Sequence, residues 1–291
     1  MKTGHRPRVA FQGELGAFSE EAVRAFFRDS VPDPIPRPDF AEVVSAVVGG
    51  KAEFGVLPAE NSIHGSVAEA WDVLAASGLS IVDEVVCPIR LCLLARPGTR
   101  LDAIEQVISH PVALNQCRRF LTQLPTATVT PVYDTAGAAK EVAFGKQAGS
   151  AAVASRAAAE RYGLDVLAAD IQDRSDNQTR FFLLTAAGAG SRSGELGGGA
   201  RKVVLVADVA HQPGSLLRIL TPFASRGINL TRIESRPADV PWTYHFFIEA
   251  ATAQAQPGIE DALAEVERNA ERMQLLGLFA IGGQASAAGK G

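Results

Sequence analysis

Apolar and polar positions along the chain change rhythm about two-thirds of the way through. Before residue 186, short apolar runs alternate with helix-like segments. Runs at 8–11, 54–57, 79–86, 89–94, 151–154 and 181–184 read as short buried strands. Between the first two, Ala22, Val23, Phe26 and Phe27 recur at helical spacing, with Ser19 as the expected cap and Glu20 and Glu21 in the first turn. Further helices are predicted over 67–76, 113–124 and 135–144. Such alternation argues an α/β architecture with largely parallel sheets. The segment is long for one sheet, which leaves room for two lobes around a cleft.

After residue 200 the order changes. Residues 202–209 form an apolar strand, and 214–226 carry a helical stripe of Leu216, Leu217, Leu220, Phe223 and Ala224. Pro222 lies inside that stripe and is expected to kink it. An extended segment over 228–236 stops at Pro237, and Trp242, Tyr244, Phe246 and Ile248 then alternate with Thr243, His245, Phe247 and Glu249. Ile259, Ala262, Leu263, Val266, Ala270 and Met273 predict a second amphipathic helix, and 275–281 a last strand. The order βαββαβ is ferredoxin-like α+β. Gly, Ser and Ala dominate residues 187–200, the composition of a flexible connector. The expected plan is therefore a domain over 7–186, a linker over 187–200, a second domain over 201–282 and a tail over 283–291.

Composition narrows the function. Hydrophobic residues at 47% and charged residues at 21% are enough to bury real cores. A formal net charge of −4 without long single-sign runs leaves no footprint for nucleic acid or an anionic membrane. No apolar run reaches the length of a signal peptide or membrane span, so a cytoplasmic chain is expected. Cys87, Cys92 and Cys117 show no Cys-x-x-Cys spacing and no neighbouring His at ligand spacing. They read as buried thiols, with no metal site.

Four clusters carry candidate chemistry, and none matches a Walker loop, a G-x-G-x-x-G, an H-E-x-x-H or a G-x-S-x-G. In FQGELGAFS, Gly13 and Gly16 stand between a strand and a helix, either as a plain turn or as amides that cradle a carboxylate. Glu60, Asn61 and Ser62 follow the strand ending at Leu57, where open α/β sheets bind ligands, while Ser66 with Glu69 makes a capping-box pattern. Ser109, His110 and Gln116 surround another strand-to-helix junction, and Thr135, the expected cap, opens a helix. Asp176, Asn177, Thr179 and Arg180 precede a very apolar strand, as site residues or as ordinary edge residues.

Taken together, VAFQGELGAFSEEA, GVLPAENSIHGSV, ISHPVALNQC, YDTAGAA and DNQTRFFLL resemble the prephenate dehydratase family, in family order and spacing. QPGSLLRILTPFASRGINLTRIESRP and TYHFFIEA resemble its regulatory ACT domain, so the likeness runs from about residue 8 to 276. The resemblance implies a two-lobed catalytic part like the type II periplasmic-binding fold, with lobes of about 7–86 with 171–186 and 87–170, plus the ferredoxin-like regulator. It implies loss of carbon dioxide and the ring hydroxyl from prephenate to give phenylpyruvate, without metal or organic cofactor. It makes Thr179 the key catalytic residue, with Asn61, Ser62 and Glu60 beside it. Arg180, Phe181, Ser109, Gln116, Thr135 and Asn177 are the implied substrate contacts. Gly214, Ser215, Leu216 and Leu217 match one phenylalanine-binding motif, with Ser215 where the family usually has Ala; Glu234, Ser235, Arg236 and Pro237 match the other. The implied assembly is a homodimer or homotetramer. Two rivals stand beside this reading: an arogenate dehydratase, which performs the same elimination on the aminated substrate, and a solute-binding protein joined to an amino-acid sensor.

Overall fold

The computed structural model describes residues 5–187, 200–238, 240–252 and 258–280. Its elements run β1 (Arg8–Gln12), α1 (Phe18–Phe26), β2 (Asp33–Arg37), α2 (Phe40–Val48), β3 (Phe54–Asn61), β4 (Gly65–Ser66), α3 (Ala68–Ser77), β5 (Leu79–Pro88) and β6 (Cys92–Ala95). They continue with β7 (Gln106–Ser109), α4 (Pro111–Gln116), α5 (Arg118–Leu121), β8 (Thr128–Pro131), α6 (Thr135–Phe144), β9 (Ser150–Ala154), α7 (Arg156–Tyr162), β10 (Asp165–Ala168) and β11 (Gln178–Ala186). The last six are β12 (Arg201–Asp208), α8 (Ser215–Ala224), β13 (Asn229–Pro237), β14 (Tyr244–Ala251), α9 (Ile259–Asn269) and β15 (Arg272–Ala280). Two compact units result, one from residues 1–71 and 85–182, the other from 72–84 and 183–291.

The first unit holds two lobes. In one, β11, β3, β1 and β2 lie side by side, with β1 parallel to both β2 and β3. Phe11, Val56 and Leu57 are fully buried there. The prolines of β2, which hid it from the sequence reading, are tolerated because β2 is an edge strand. In the other lobe the order is β10-β6-β9-β7-β8, over a core that includes Leu91, Leu93, Val107, Leu114 and Val153. This is the two-lobed α/β arrangement that the resemblance implied.

The second unit places β13-β14-β12-β15 in one antiparallel sheet, with α8 and α9 burying Ile219, Phe223, Ala262 and Val266 against Val203, Leu205 and Ile248. The predicted βαββαβ order is observed. Strand β5 also pairs with β15 at Ile81 and Gly277, where a Cβ on Gly277 would stand 2.8 Å from the Ile81 carbonyl oxygen.

Several local expectations need correction. Helix α1 starts at Phe18 behind Ala17, so Ser19 is inside its first turn. Ser66 belongs to β4, paired with Glu60, and α3 begins at Ala68. Asp134 caps α6, accepting a hydrogen bond from the Gly137 amide at 2.7 Å, and Thr135 is the first helical residue. The helix predicted over 113–124 is interrupted at Cys117. Helix α8 runs through Pro222 and ends two residues later. Trp242 lies outside β14 with a φ of 67°, and Met273 is in β15 instead of the preceding helix. Most of the predicted linker and all of the tail fall outside the described residues. Among the described residues no helix is long and apolar enough to cross a membrane.

Candidate active site

The carboxyl end of β3 and the start of β11 meet at one side chain. The Asn61 Oδ1 accepts from the amides of Ile63 and His64, both at 3.0 Å. That fixes which end of the side chain is the amide nitrogen. Nδ2 then donates toward Asn177 Oδ1 (2.9 Å), the Gln178 carbonyl (3.1 Å) and Thr179 Oγ1 (3.0 Å). Because Thr179 Oγ1 accepts from Asn61, its own O–H proton remains to be donated elsewhere. Thr179 and Asn61 both line a cavity of about 370 Å³ within the first unit.

That cavity draws on both lobes. Phe18, Ser19, Pro58 and Phe181 come from one, while Leu91, His110, Gln116 and Thr135 come from the other. No Asp, Glu, Lys or Arg is among its lining residues. Gln116 is only 8% exposed, and its side-chain amide has no protein partner among the described residues. His110 Nδ1 accepts from the Val112 amide at 3.2 Å, so in the neutral ring the proton sits on Nε2. Burial pushes its pKa below the ordinary histidine value, which favours that neutral form. The walls are thus neutral donors on an apolar frame, suited to an organic acid with an apolar ring.

Other predicted site residues are placed differently. Alternation along β11 puts Arg180 on the face opposite Thr179 and Phe181. There its guanidinium pairs with Glu60 at 3.1 Å and lies 5.1 Å from the centre of the Phe182 ring. Neither Arg180 nor Glu60 lines the cavity. The Ser62 hydroxyl donates to the Asp176 carbonyl and accepts from the Gln178 amide, each at 3.0 Å, which locks β3 to the loop before β11. Ser109 is fully buried and donates to the Val153 carbonyl at 2.6 Å. Asn177, 1% exposed, reaches the site only by holding Asn61. The structure therefore brings together Thr179, Asn61, Phe181, Gln116 and Thr135 from the predicted set, and adds Phe18, Ser19 and His110.

In the second unit, Gly214 precedes α8 with a φ of 80°, the left-handed region where Gly is favoured. Ser215 and Leu216 line a 160 Å³ cavity with Val209, Tyr244 and Phe246. The Ser215 hydroxyl is buried and accepts from Arg218 at 2.8 Å, while Leu217 is exposed. Ser235 and Pro237 pair with Phe246 and Tyr244 across β13 and β14. Glu234 and Arg236 point to the other face, into a chain of ion pairs. Arg236 binds Asp72 at 2.6 Å, Arg232 contacts Glu234 and Glu249, and Lys202 joins Glu249 (3.0 Å) to Glu84 (2.8 Å). Among the described residues, the 160 Å³ cavity is lined by Ser215 and Leu216 of the first effector motif and by none of Glu234, Ser235, Arg236 and Pro237 of the second.

The prephenate dehydratase family model matches residues 9–189. The chain belongs to the prephenate dehydratase family. An ACT domain model matches residues 203–268, so the family's catalytic part is joined here to a regulatory domain. The arogenate dehydratase/prephenate dehydratase 2 of Arabidopsis thaliana is 37% identical, over 97% of this chain and 74% of its own length. A prephenate dehydratase of Mycolicibacterium vanbaalenii is 35% identical, over 97% and 94%. The crystal structure of an Arthrobacter aurescens prephenate dehydratase in complex with L-Phe is similar with a TM-score of 0.83 and 34% identity, covering 94% of this chain and 89% of that one.

Proposed function

We propose that the chain converts prephenate to phenylpyruvate, with the loss of carbon dioxide and water, and that Thr179 assists departure of the ring hydroxyl. The observation that carries this is the Asn61–Thr179 hydrogen bond, which leaves a threonine O–H free at the wall of a cavity lined by no Asp, Glu, Lys or Arg. Loss of both groups makes an aromatic ring, so the driving force is large and the enzyme's task is orientation and charge stabilisation. A threonine hydroxyl is too weak an acid for full proton transfer, so the oxygen leaves as hydroxide held by the Thr179 O–H and takes its proton from solvent to become water. As a hydrogen-bond donor aimed at the departing oxygen it lowers the barrier by about 2.7–4 kcal/mol. The Gln116 amide, His110 Nε2–H and the Thr135 hydroxyl supply further neutral donors around the substrate. Neutral walls suit the chemistry, because a cation gripping the departing carboxylate would stabilise the ground state and oppose its loss. Incubation of the purified chain with prephenate, followed by the ultraviolet absorbance of phenylpyruvate, is the test. No rate above the spontaneous reaction sinks the reading.

Arogenate is the second substrate to weigh. A neighbouring recess, sharing Phe18, Ser19, Val67, His110 and Thr135 with the cavity, is lined by Asp39, Glu69 and Asp134. Those carboxylates are the counter-charge that the ammonium of arogenate would need. Parallel kinetics on the two substrates decide between them.

The second unit is read as a phenylalanine sensor that controls this activity, assembled in a homodimer or homotetramer so that a second copy completes the site left open in one chain. The cytoplasm is the compartment proposed. Its reducing conditions suit three free, buried cysteines whose thiols burial pushes up, to about 11 for Cys87 and about 12 for Cys117.

A further inference from the structure

We propose that Ser19 and the uncapped N-terminus of α1 hold the pyruvyl carboxylate of the substrate, an assignment that rests on the dehydratase reading. Four helices, α1, α3, α4 and α6, begin at the cavity, and α4 and α6 are already capped by side chains. His110 Nδ1 accepts from the amide of Val112 at the start of α4, and the Asp134 carboxylate accepts from Gly137 at the start of α6. The nine-residue α1 follows Ala17, which has no capping side chain. Among the described residues the amides of Phe18 and Ser19 find no acceptor, and both residues line the cavity. Glu20 does reach back, but to the Gly16 amide at 2.6 Å, and its charge is paired with Arg24 at 2.7 Å.

The second observation is Ser19 itself. It is 8% exposed, it lines the cavity, and its hydroxyl has no protein partner among the described residues. A hydroxyl at a cavity wall with no protein partner is left for the cavity's water or for a ligand to meet. One hydroxyl and two open amides at a helix start offer three donors and a positive dipole end to a carboxylate.

The opposite lobe fixes this anchor in place. Ser155 Oγ donates to the Gly16 carbonyl at 2.7 Å, the Tyr162 hydroxyl to the Leu15 carbonyl at 2.8 Å, and the Glu14 amide to Asp134 at 3.3 Å. Gly16 has a φ of 92°, and a Cβ there would stand 2.8 Å from the Ala158 Cα. The loop therefore lies directly against α7.

Prephenate has two carboxylates, and only the pyruvyl one survives into phenylpyruvate. An anchor strong enough to orient the substrate must hold the group that stays, because tight ground-state binding of the leaving carboxylate would slow its loss. That distinction is measurable in the full chain. In Ser19→Ala, the KM for prephenate and the inhibition constant of phenylpyruvate should rise together, by about ten- to a hundred-fold. The kcat should change by less than about threefold, since such an anchor contributes equally to ground and transition states. Ser19→Thr should restore both constants to within a few-fold. A rise in KM with unchanged phenylpyruvate inhibition means that the leaving carboxylate is the one held, and overturns the assignment. So does a fall in kcat at constant KM, or no change at all. If the alanine variant fails to fold, Ser19→Cys, which keeps the shape but donates weakly, gives the same readout. A wild-type chain that leaves prephenate untouched removes the dehydratase reading instead, and phenylpyruvate titration of wild type against variant still tests the anchor.

Discussion

The direction of one proton decides what Thr179 can do. Its oxygen accepts from Asn61, whose own orientation is set by the backbone amides of Ile63 and His64. Thr179→Ala removes the donor and little else, so kcat should fall by about 100- to 1000-fold, while the melting temperature stays near wild type. Thr179→Ser should keep part of the rate, because the hydroxyl survives but its rotamer is less constrained. Steady-state kinetics beside a thermal melt check both, and an alanine variant of near-normal kcat refutes the role. The residues gathered at this cavity, Asn61, Gln116, Thr135 and Thr179, were legible through the family resemblance, since their place in the pattern alone leaves Thr135 a cap and Thr179 an edge residue. Arg180, an implied substrate contact, is instead turned to the opposite face, because alternation along β11 separates it from Thr179 and Phe181. Ser62 and Ser109 could not be separated from the site in advance. Their hydroxyls are consumed by the carbonyls of Asp176 and Val153, contacts that exist only after distant segments meet. Ser19 was hidden by a reading of it as a cap, although Ala17 is the residue in the cap position.

At the scale of elements, strong periodicity read correctly and weak periodicity did not. The strands built on 8–11, 54–57 and 151–154, and the amphipathic helices of the second unit, follow from apolar spacing alone. Strand β2 was missed because DPIPR looks like a turn, and β8 because its residues are polar or half-exposed at a sheet edge. Helix α1 has a property that its pattern does not announce. Glu21 is a first-turn acid that the fold largely buries, which pushes its pKa up to about 7 against the opposing pull of Ser155 and Arg24. Its unfolded value is about 4.3. Below that value both states are protonated and Glu21 does not affect stability relative to its fully protonated reference. Between it and pH 7 the unfolded chain releases the proton while the folded chain keeps it. Stability therefore declines as pH rises through this window, by up to about 3 kcal/mol, and levels off above 7. Glu21→Gln should remove that decline, so its melting temperature should overtake that of wild type progressively between pH 5 and 7. Parallel melts across that range test the assignment, and equal slopes for the two proteins refute it.

The whole molecule joins a sensor to an enzyme, and the structure offers a physical route for their coupling. Glu234 and Arg236, half of the predicted effector motif, are engaged in the ion-pair chain that ends on Asp72 and Glu84. Asp72 lies in α3, the helix that begins directly after Ser66 and Val67, two residues of the cavity wall. An effector that shifts β13 is expected to stretch or relieve the Arg236–Asp72 pair, and through it to act on α3. Coupling of this kind is reciprocal for binding. The factor by which phenylalanine changes the affinity for phenylpyruvate must equal the factor by which phenylpyruvate changes the affinity for phenylalanine. Typical couplings are about 5- to 150-fold. Arg236→Lys keeps the charge but loses the planar fork, and Asp72→Asn removes the partner. Both should reduce the factor several-fold while basal turnover on prephenate stays within about twofold, because neither residue touches the cavity. Calorimetric titration of phenylalanine with and without saturating phenylpyruvate measures the factor directly. A coupling unchanged by Asp72→Asn would mean that the signal reaches α3 by some other contact, and the ion-pair route would have to be abandoned.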